Sequence, residues 1–359
     1  MKNRPPGAPS KQRRGATFNP ANRYNETEAV PVDDGWGSLA EPSEPLLTSL
    51  GVDASRSILS RNDSPDIAFD RSINPYRGCE HGCIYCYARP SHAWLGLSPG
   101  LDFESRLFYK PDAAKLLRRE LGRRGYTPSP LALGANTDAY QPVERRPGLT
   151  RAILGVLAET RHPATIITKS ALVERDQDLL TDMAEERLAT VHISLTTLDA
   201  GLARSLGPRA AAPARRLRTI AALANSGIPV GVMLAPVIPG LADSDMERIL
   251  AAARDAGATF AGYTLLRLPG EVSVLFRDWL SHHHPEKAAR VMGILRDIRN
   301  GEDNDARFGR RMVGRGPFAE MLGHRFALAC KRHGYGPPPE LACDRFRPPT
   351  APRAQMDLF

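Results

Sequence analysis

Three of the chain's five cysteines fall within eight residues, as Cys79-x3-Cys83-x2-Cys86 in the stretch GCEHGCIYCYA. Cysteine thiolates are nucleophiles, and they ligate zinc and iron–sulfur clusters. Three thiols cannot all pair as disulfides, and they are one short of a closed tetrahedral zinc site. Gly78 and Gly82 allow the tight backbone that converging sulfurs need. The residues alone leave three readings. A 4Fe–4S cube can sit on the three thiolates with one iron left open, which is the mark of a reactive metal centre. Zinc can be completed by His81 or His92. A distant Cys330 or Cys343 can close an electron-transfer cluster. Cys330 and Cys343 stand thirteen apart without a Cys-x2-Cys, so no second cluster is expected. His162 and His192 have no metal-ligand spacing, and His282-His283-His284 reads as a loop before Pro285.

The elements that must position these cysteines follow a regular rhythm. Short β-branched runs alternate with longer amphipathic stretches from about residue 70. Strands are expected at 72–77, 131–137, 164–169, 189–196, 229–235 and 259–266, and helices at 111–125, 149–160, 173–186, 214–226 and 244–256. Strands alternating with helices imply parallel pairing with right-handed crossovers, in a barrel-like or an open doubly wound sheet. Either architecture gathers chemistry at the C-terminal ends of the strands. Asn136 and Asp138 follow the second strand, Lys169 the third, and Ser194, Thr196 and Thr197 the fourth. The cysteines follow the first and share that rim.

Hydrophobic content is 42% and charged content 25%, within the ordinary globular range. No apolar run approaches the roughly 20 residues that span a bilayer. The basic N-terminus has no apolar segment behind it, so no secretory signal is expected, and clustered cysteines then point to reduced thiols in the cytoplasm. The net charge is +8, and the surplus sits at the ends. Residues 1–30 carry six Lys/Arg against two acids, and residues 307–353 ten against three. Basic ends suit a nucleic-acid partner, or equally a solvated face that closes the barrel. The organisation expected is an N-terminal arm over 1–60, largely disordered, a core domain over 61–300, and a basic C-terminal extension over 301–359 with one or two short helices between Met312 and Cys330.

The text Cys79-x3-Cys83-x-Tyr85-Cys86 resembles the signature of the radical S-adenosylmethionine (SAM) enzymes, where an aromatic residue precedes the last cysteine. The wider strings NPYRGCEHGCIYCYARPSH, GANTDAYQPVE and ISLTTLD look most like the spore photoproduct lyase-like branch, over about residues 65–300. The resemblance implies a partial (β/α)6 barrel and a 4Fe–4S cluster on Cys79, Cys83 and Cys86, with SAM chelated at the free iron. It implies reductive cleavage of SAM to a 5′-deoxyadenosyl radical that abstracts hydrogen from a substrate, which is unidentified, with nucleic acid a candidate. It also implies an external one-electron reductant of flavodoxin or ferredoxin type. A monomer away from membranes is expected. Asn136, Asp138 and Glu144 become candidates for the methionine amino group, the family's Gly-Gly-Glu being absent. Lys169 becomes one for the carboxylate, and Ser194, Thr196 and Thr197 for the ribose or methionine moiety. The segments Pro236–Gly240 and Leu265–Leu268 become candidates for adenine contact. Tyr85 and Tyr87 become catalytic candidates for hydrogen transfer, beside a bland packing role. The branch's donor cysteine in the second-strand loop is missing from GANTDAY, so photoproduct repair by that route is not implied. The competing reading is a non-enzymatic zinc or iron–sulfur electron-transfer module.

Overall fold

The computed structural model describes residues 14–24 and 46–349. Of the expected arm, residues 1–13 and 25–45 lie outside the described residues. Residues 14–24 differ from the expectation of disorder. Arg14, Ala16 and Asn22 are buried, because the body offers their polar atoms partners described below.

Among the described residues, ten strands form two sheets. They are β1 (Ser49–Val52), β2 (Leu59–Arg61), β3 (Arg71–Ile73), β4 (Tyr76–Arg77), β5 (Arg106–Tyr109), β6 (Leu131–Leu133), β7 (Ala164–Thr168), β8 (Ala189–Ser194), β9 (Val230–Val237) and β10 (Phe260–Leu265). The large sheet has the order β10-β9-β8-β7-β6-β3-β2. From β3 to β10 every neighbour is parallel and in chain order, while β2 closes the edge antiparallel to β3. This is the expected partial barrel of six parallel strands. A small sheet, β1-β5-β4, sits beside the cysteines and was not foreseen. Its strands are two to four residues long, too short to show a period.

The helices are α1 (Leu101–Ser105), α2 (Ala113–Leu121), α3 (Leu149–Glu159), α4 (Gln177–Glu185), α5 (Ala200–Leu206), α6 (Pro213–Asn225), α7 (Met246–Asp255), α8 (Val272–His283), α9 (Pro285–Asp297) and α10 (Pro317–His333). Of these, α4, α6 and α7 pack against β8 and β9 on the outer face of the large sheet, and the pleat shows it. Ile166, Val191, Ile193, Val232 and Leu234 are at most 1% exposed. Their alternating neighbours Ile167, His192, Met233 and Ala235 are only half-buried and line the concave face. Successive side chains on a strand point to opposite faces, so one sequence run fills the core and also walls a lumen.

Two expectations at the C-terminal end are corrected. Residues 312–330 do not form short helices: α10 is a single helix of 17 residues. Gly334, left-handed at φ 66°, ends it, and Lys331, Arg332 and His333 occupy its last turn, where the helix dipole favours cations. It packs beside β10, with the Tyr263 and Phe326 rings 4.7 Å apart and Arg325 paired to Glu247 at 2.7 Å. The triple histidine is not a loop. His282 and His283 end α8, and only His284 lies between that helix and α9. No helix among the described residues is long and apolar enough to cross a membrane.

Candidate metal centre

The cysteine loop leaves β4 and runs into a 3-10 helix at Arg89–Leu95. Cys79 and Cys83 are buried and Cys86 is half-buried. Gly78 (φ 78°) and Gly82 (φ 66°) hold left-handed conformations. A Cβ at Gly78 would come within 2.5 Å of Leu107 and 2.8 Å of the Phe103 carbonyl, so glycine is required there by conformation and by space. The loop is pinned through its backbone. Cys79 N donates to Phe103 O at 2.9 Å and Ile84 N to Leu206 O at 3.0 Å. At Gly207, after α5, an added Cβ would stand 3.2 Å from Cys83 Sγ.

The thiols feel one another. Burial, then Asp138 and the other two thiols, push the Cys79 thiol well above its ordinary value. Burial and Cys83 also raise Cys86, against Arg89 and Lys169. Three crowded thiolates in a buried loop call for added positive charge, and metal ligation supplies it by deprotonating the thiols outright. The donor set fits a cluster held by three thiolates. Zinc would need one of two nearby imidazoles as its fourth ligand. His92 Nε2 lies 2.9 Å from Arg106 O, and His81 Nδ1 lies 3.3 Å from Asp138 Oδ2. No group of three His, Cys, Asp or Glu among the described residues converges on a single-ion site. Cys343 follows Ala342, whose N–H reaches Arg187 O just before β8, at the strand ends opposite the loop.

Asp138 receives three hydrogen-bond donors and faces a histidine. Oδ1 accepts from Tyr140 N at 2.9 Å and from Thr168 Oγ1 at 2.7 Å. Oδ2 accepts from Lys169 N at 2.7 Å and faces His81. Burial opposes its charge, but His81 and these donors hold its carboxyl well below the usual carboxylate range. The carboxylate is thus occupied in joining the cysteine loop to the ends of β6 and β7. Glu144, fully buried, accepts from Tyr76 OH, Thr150 N at 3.0 Å and Arg175 Nη2 at 2.9 Å. Its partners are structural, joining β4, α3 and the Arg175 side chain. Asn136 is exposed at the rim, its N–H bonded to Asn74 Oδ1 at 3.1 Å.

Lys169 stands at the end of β7 with no ion-pair partner recorded for its ammonium among the described residues, and its charge reaches Cys86. Ser194 Oγ donates to Ala235 O at 3.0 Å and Thr196 Oγ1 to the same oxygen at 3.4 Å. Thr197 Oγ1 donates to Asp245 Oδ2 at 2.6 Å. Tyr85 is buried with its hydroxyl 3.5 Å from Thr196 Oγ1. Tyr87 is partly exposed, donates to Ala135 O, and carries the Arg267 guanidinium 5.4 Å from its ring centre.

One residue of the site was missed by sequence reasoning. Arg216, on α6, is buried. Nε donates to Ala211 O at 2.7 Å and Nη1 to Ser194 O at 2.9 Å. No ion pair to it is recorded among the described residues. Burial lowers its pKa, against Tyr85, Cys83 and Asp138. It lines a small cavity with Tyr85, Thr196, Thr197, Leu206 and Gly207. The signal was in the sequence, for Arg216 shares the apolar helical face of Ile220 and Leu223, at i+4 and i+7. A guanidinium on a core-facing stripe is a buried cation.

The model of the radical SAM superfamily matches residues 73–253. An uncharacterized protein of Mycobacterium tuberculosis is 38% identical over 232 residues, 64% of this chain and 68% of that protein. An uncharacterized protein of Methanocaldococcus jannaschii is 27% identical over 216 residues, 60% of this chain and 76% of that one. Spore photoproduct lyase complexed with dinucleoside spore photoproduct superposes with a TM-score of 0.54 at 13% identity, covering 80% of each chain. A mutant of that lyase with bound AdoMet and dinucleoside spore photoproduct gives 0.51 at 15% identity. At such identities the likeness speaks for the fold.

Proposed function

The chain belongs to the radical SAM superfamily, and from that premise we propose that it binds a 4Fe–4S cluster on Cys79, Cys83 and Cys86 and abstracts hydrogen from a substrate held in the barrel lumen. As a member of that superfamily it is an enzyme that uses SAM. The observation that carries the cluster reading is the crowding of three thiols in one glycine-bent loop at the C-terminal strand ends. Cluster and SAM, when bound, supply a carbon radical on one-electron reduction by an external carrier, and the protein's share is binding, orientation and the exclusion of water.

Each nearby residue has a proposed part. Arg216 and Lys169 are cations without carboxylate partners beside the cysteines, suited to the methionine carboxylate. Ser194 and Thr196 present hydroxyls on the same wall whose lone pairs can accept from a ribose. Asn136 is the free polar group for the amino end. Tyr85 and Tyr87 flank Cys86. Tyr85 packs at the cavity wall, and Tyr87 faces the mouth with Arg267 over its ring. Asp138 positions the loop.

The mouth favours a polyanionic substrate. Arg310 and Arg315 are exposed and unpaired among the described residues, while Arg311, held by Asp66 at 2.6 Å, lies 4.6 Å from the ring centre of the exposed Phe308. Arginine beside aromatic rings suits phosphates and bases together. A nucleic-acid substrate is our reading, tested by DNA and RNA binding at low salt. Binding that weakens steeply with salt supports it, and no binding at low salt removes it.

The test of the cluster reading is anaerobic reconstitution. Iron and sulfide are expected at about four each per chain, with an electron paramagnetic resonance signal that changes when SAM is added. Stoichiometric zinc with no iron would overturn the reading in favour of the metal-module alternative.

A further inference from the structure

Residues 14–24 lie some fifty positions upstream of the family match, yet they meet the cysteine loop directly. Glu104, fully buried, is the junction. Its Oε2 accepts from Gly15 N at 2.8 Å, and its Oε1 accepts from Ala16 N at 2.8 Å and from Arg89. Arg89 in turn donates to the carbonyl of Cys83 at 2.9 Å. A Cβ at Gly15 would stand 1.7 Å from Gly82 O, inside the cysteine motif. Arg14 reaches Glu104 O at 2.6 Å and Thr48 Oγ1 at 2.9 Å. Thr48 hydrogen-bonds Glu80, the residue after Cys79. At the far end Asn22 Nδ2 donates to Ala93 O at 3.0 Å and Leu97 O at 3.1 Å, around the 3-10 helix that leaves Cys86.

We propose that Arg14–Tyr24 is a strap belonging to the metal centre, with Gly15 and Glu104 as positioning residues that fix the shape of the cysteine loop and shield its cluster from solvent. The inference rests on the cluster reading above. A segment held only for general stability has no need to meet the loop at Gly82 and to reach Cys83 and Glu80 through Arg89 and Thr48. The backbone-to-backbone contact at Gly15 leaves no room for any side chain.

Gly15→Ala is the smallest change that breaks the contact. In the full-length metal-free chain, amide exchange at Gly15, Ala16 and the Cys79–Cys86 loop is expected to quicken about tenfold, equivalent to about 1.4 kcal/mol of docking. Amides of β7 and β8 are expected to keep their protection. In the reconstituted chain, iron is expected to be lost in air about tenfold faster, and the cluster's reduction potential to shift. Asn22→Ala, which introduces no clash, is expected to give the same pattern more weakly. A loaded wild type and a Gly15→Ala chain with equal loop exchange, iron lifetime and potential would overturn the strap alone. So would a uniform quickening across all sheet amides. A wild type that takes up no iron would overturn the cluster reading, and the strap's part in it, at once.

Discussion

Asp138 Oδ2 accepts the backbone N–H of Lys169 at 2.7 Å and lies 3.3 Å from His81 Nδ1. One carboxylate therefore ties the cysteine loop to the rim of the sheet, and Lys169 keeps its ammonium for other work. Asp138→Asn removes the charge from these bonds, which is worth about 1–3 kcal/mol. The metal-free chain is expected to unfold at lower temperature and to take up less iron, while its loaded fraction keeps the wild-type KM for SAM. Full iron with a raised KM would instead put Asp138 in contact with the cofactor.

Arg216 and Lys169 are expected to behave oppositely to Asp138. Arg216→Met and Lys169→Met leave iron content intact and raise the KM for SAM. Losing a charged hydrogen bond costs about 1.5–3 kcal/mol, about ten- to hundredfold in KM. Arg216→Met carries the added cost of leaving the Ser194 and Ala211 carbonyls unpaired. Steady-state kinetics at saturating reductant separate the two effects.

Glu104→Ala removes the acceptor of Arg89, Gly15 and Ala16 together. A buried ion pair broken on one side costs about 3–5 kcal/mol. Urea unfolding of the metal-free chain is expected to show a loss of that order, and Glu104→Gln a smaller one.

His162 and His192 give the metal-free protein an acid sensitivity. Burial holds both imidazoles neutral, down at about 4, against about 6.5 in an unfolded chain. The unfolded chain therefore binds protons first as pH falls. The stability these histidines contribute is full above about pH 6.5 and drains towards pH 4, by about 1.4 kcal/mol per pH unit for each. Urea midpoints at pH 7.5, 6 and 5 are expected to fall in that order. His192→Gln is expected to flatten the slope by about half, and an unchanged slope would assign the sensitivity elsewhere.

Much of the fold was legible because its signals are local. Val191, His192 and Ile193 alternate with the pleat, and the helices between strands carry their apolar stripes, so six parallel strands could be read in order. The cysteine spacing and its two glycines marked the metal loop for the same reason. What was not legible depends on distant partners. Glu144 looks available in YQPVE, but Arg175 and Tyr76 occupy it from other elements. Gly15 sits in a polar, glycine- and proline-rich run that reads as disordered, because nothing local shows that Glu104 waits for its N–H. The triple histidine reads as a loop on account of Pro285, which instead opens α9 in the first-turn position that proline favours. Arg216 alone was within reach, as a cation on an apolar face.

The central claim is tested most directly by the products of SAM. The reconstituted wild-type chain, incubated anaerobically with dithionite and SAM, is expected to release 5′-deoxyadenosine and methionine in equal amounts, and Cys83→Ala to release neither. Equal release by the Cys83→Ala chain, or none by an iron-loaded wild type, would contradict the account.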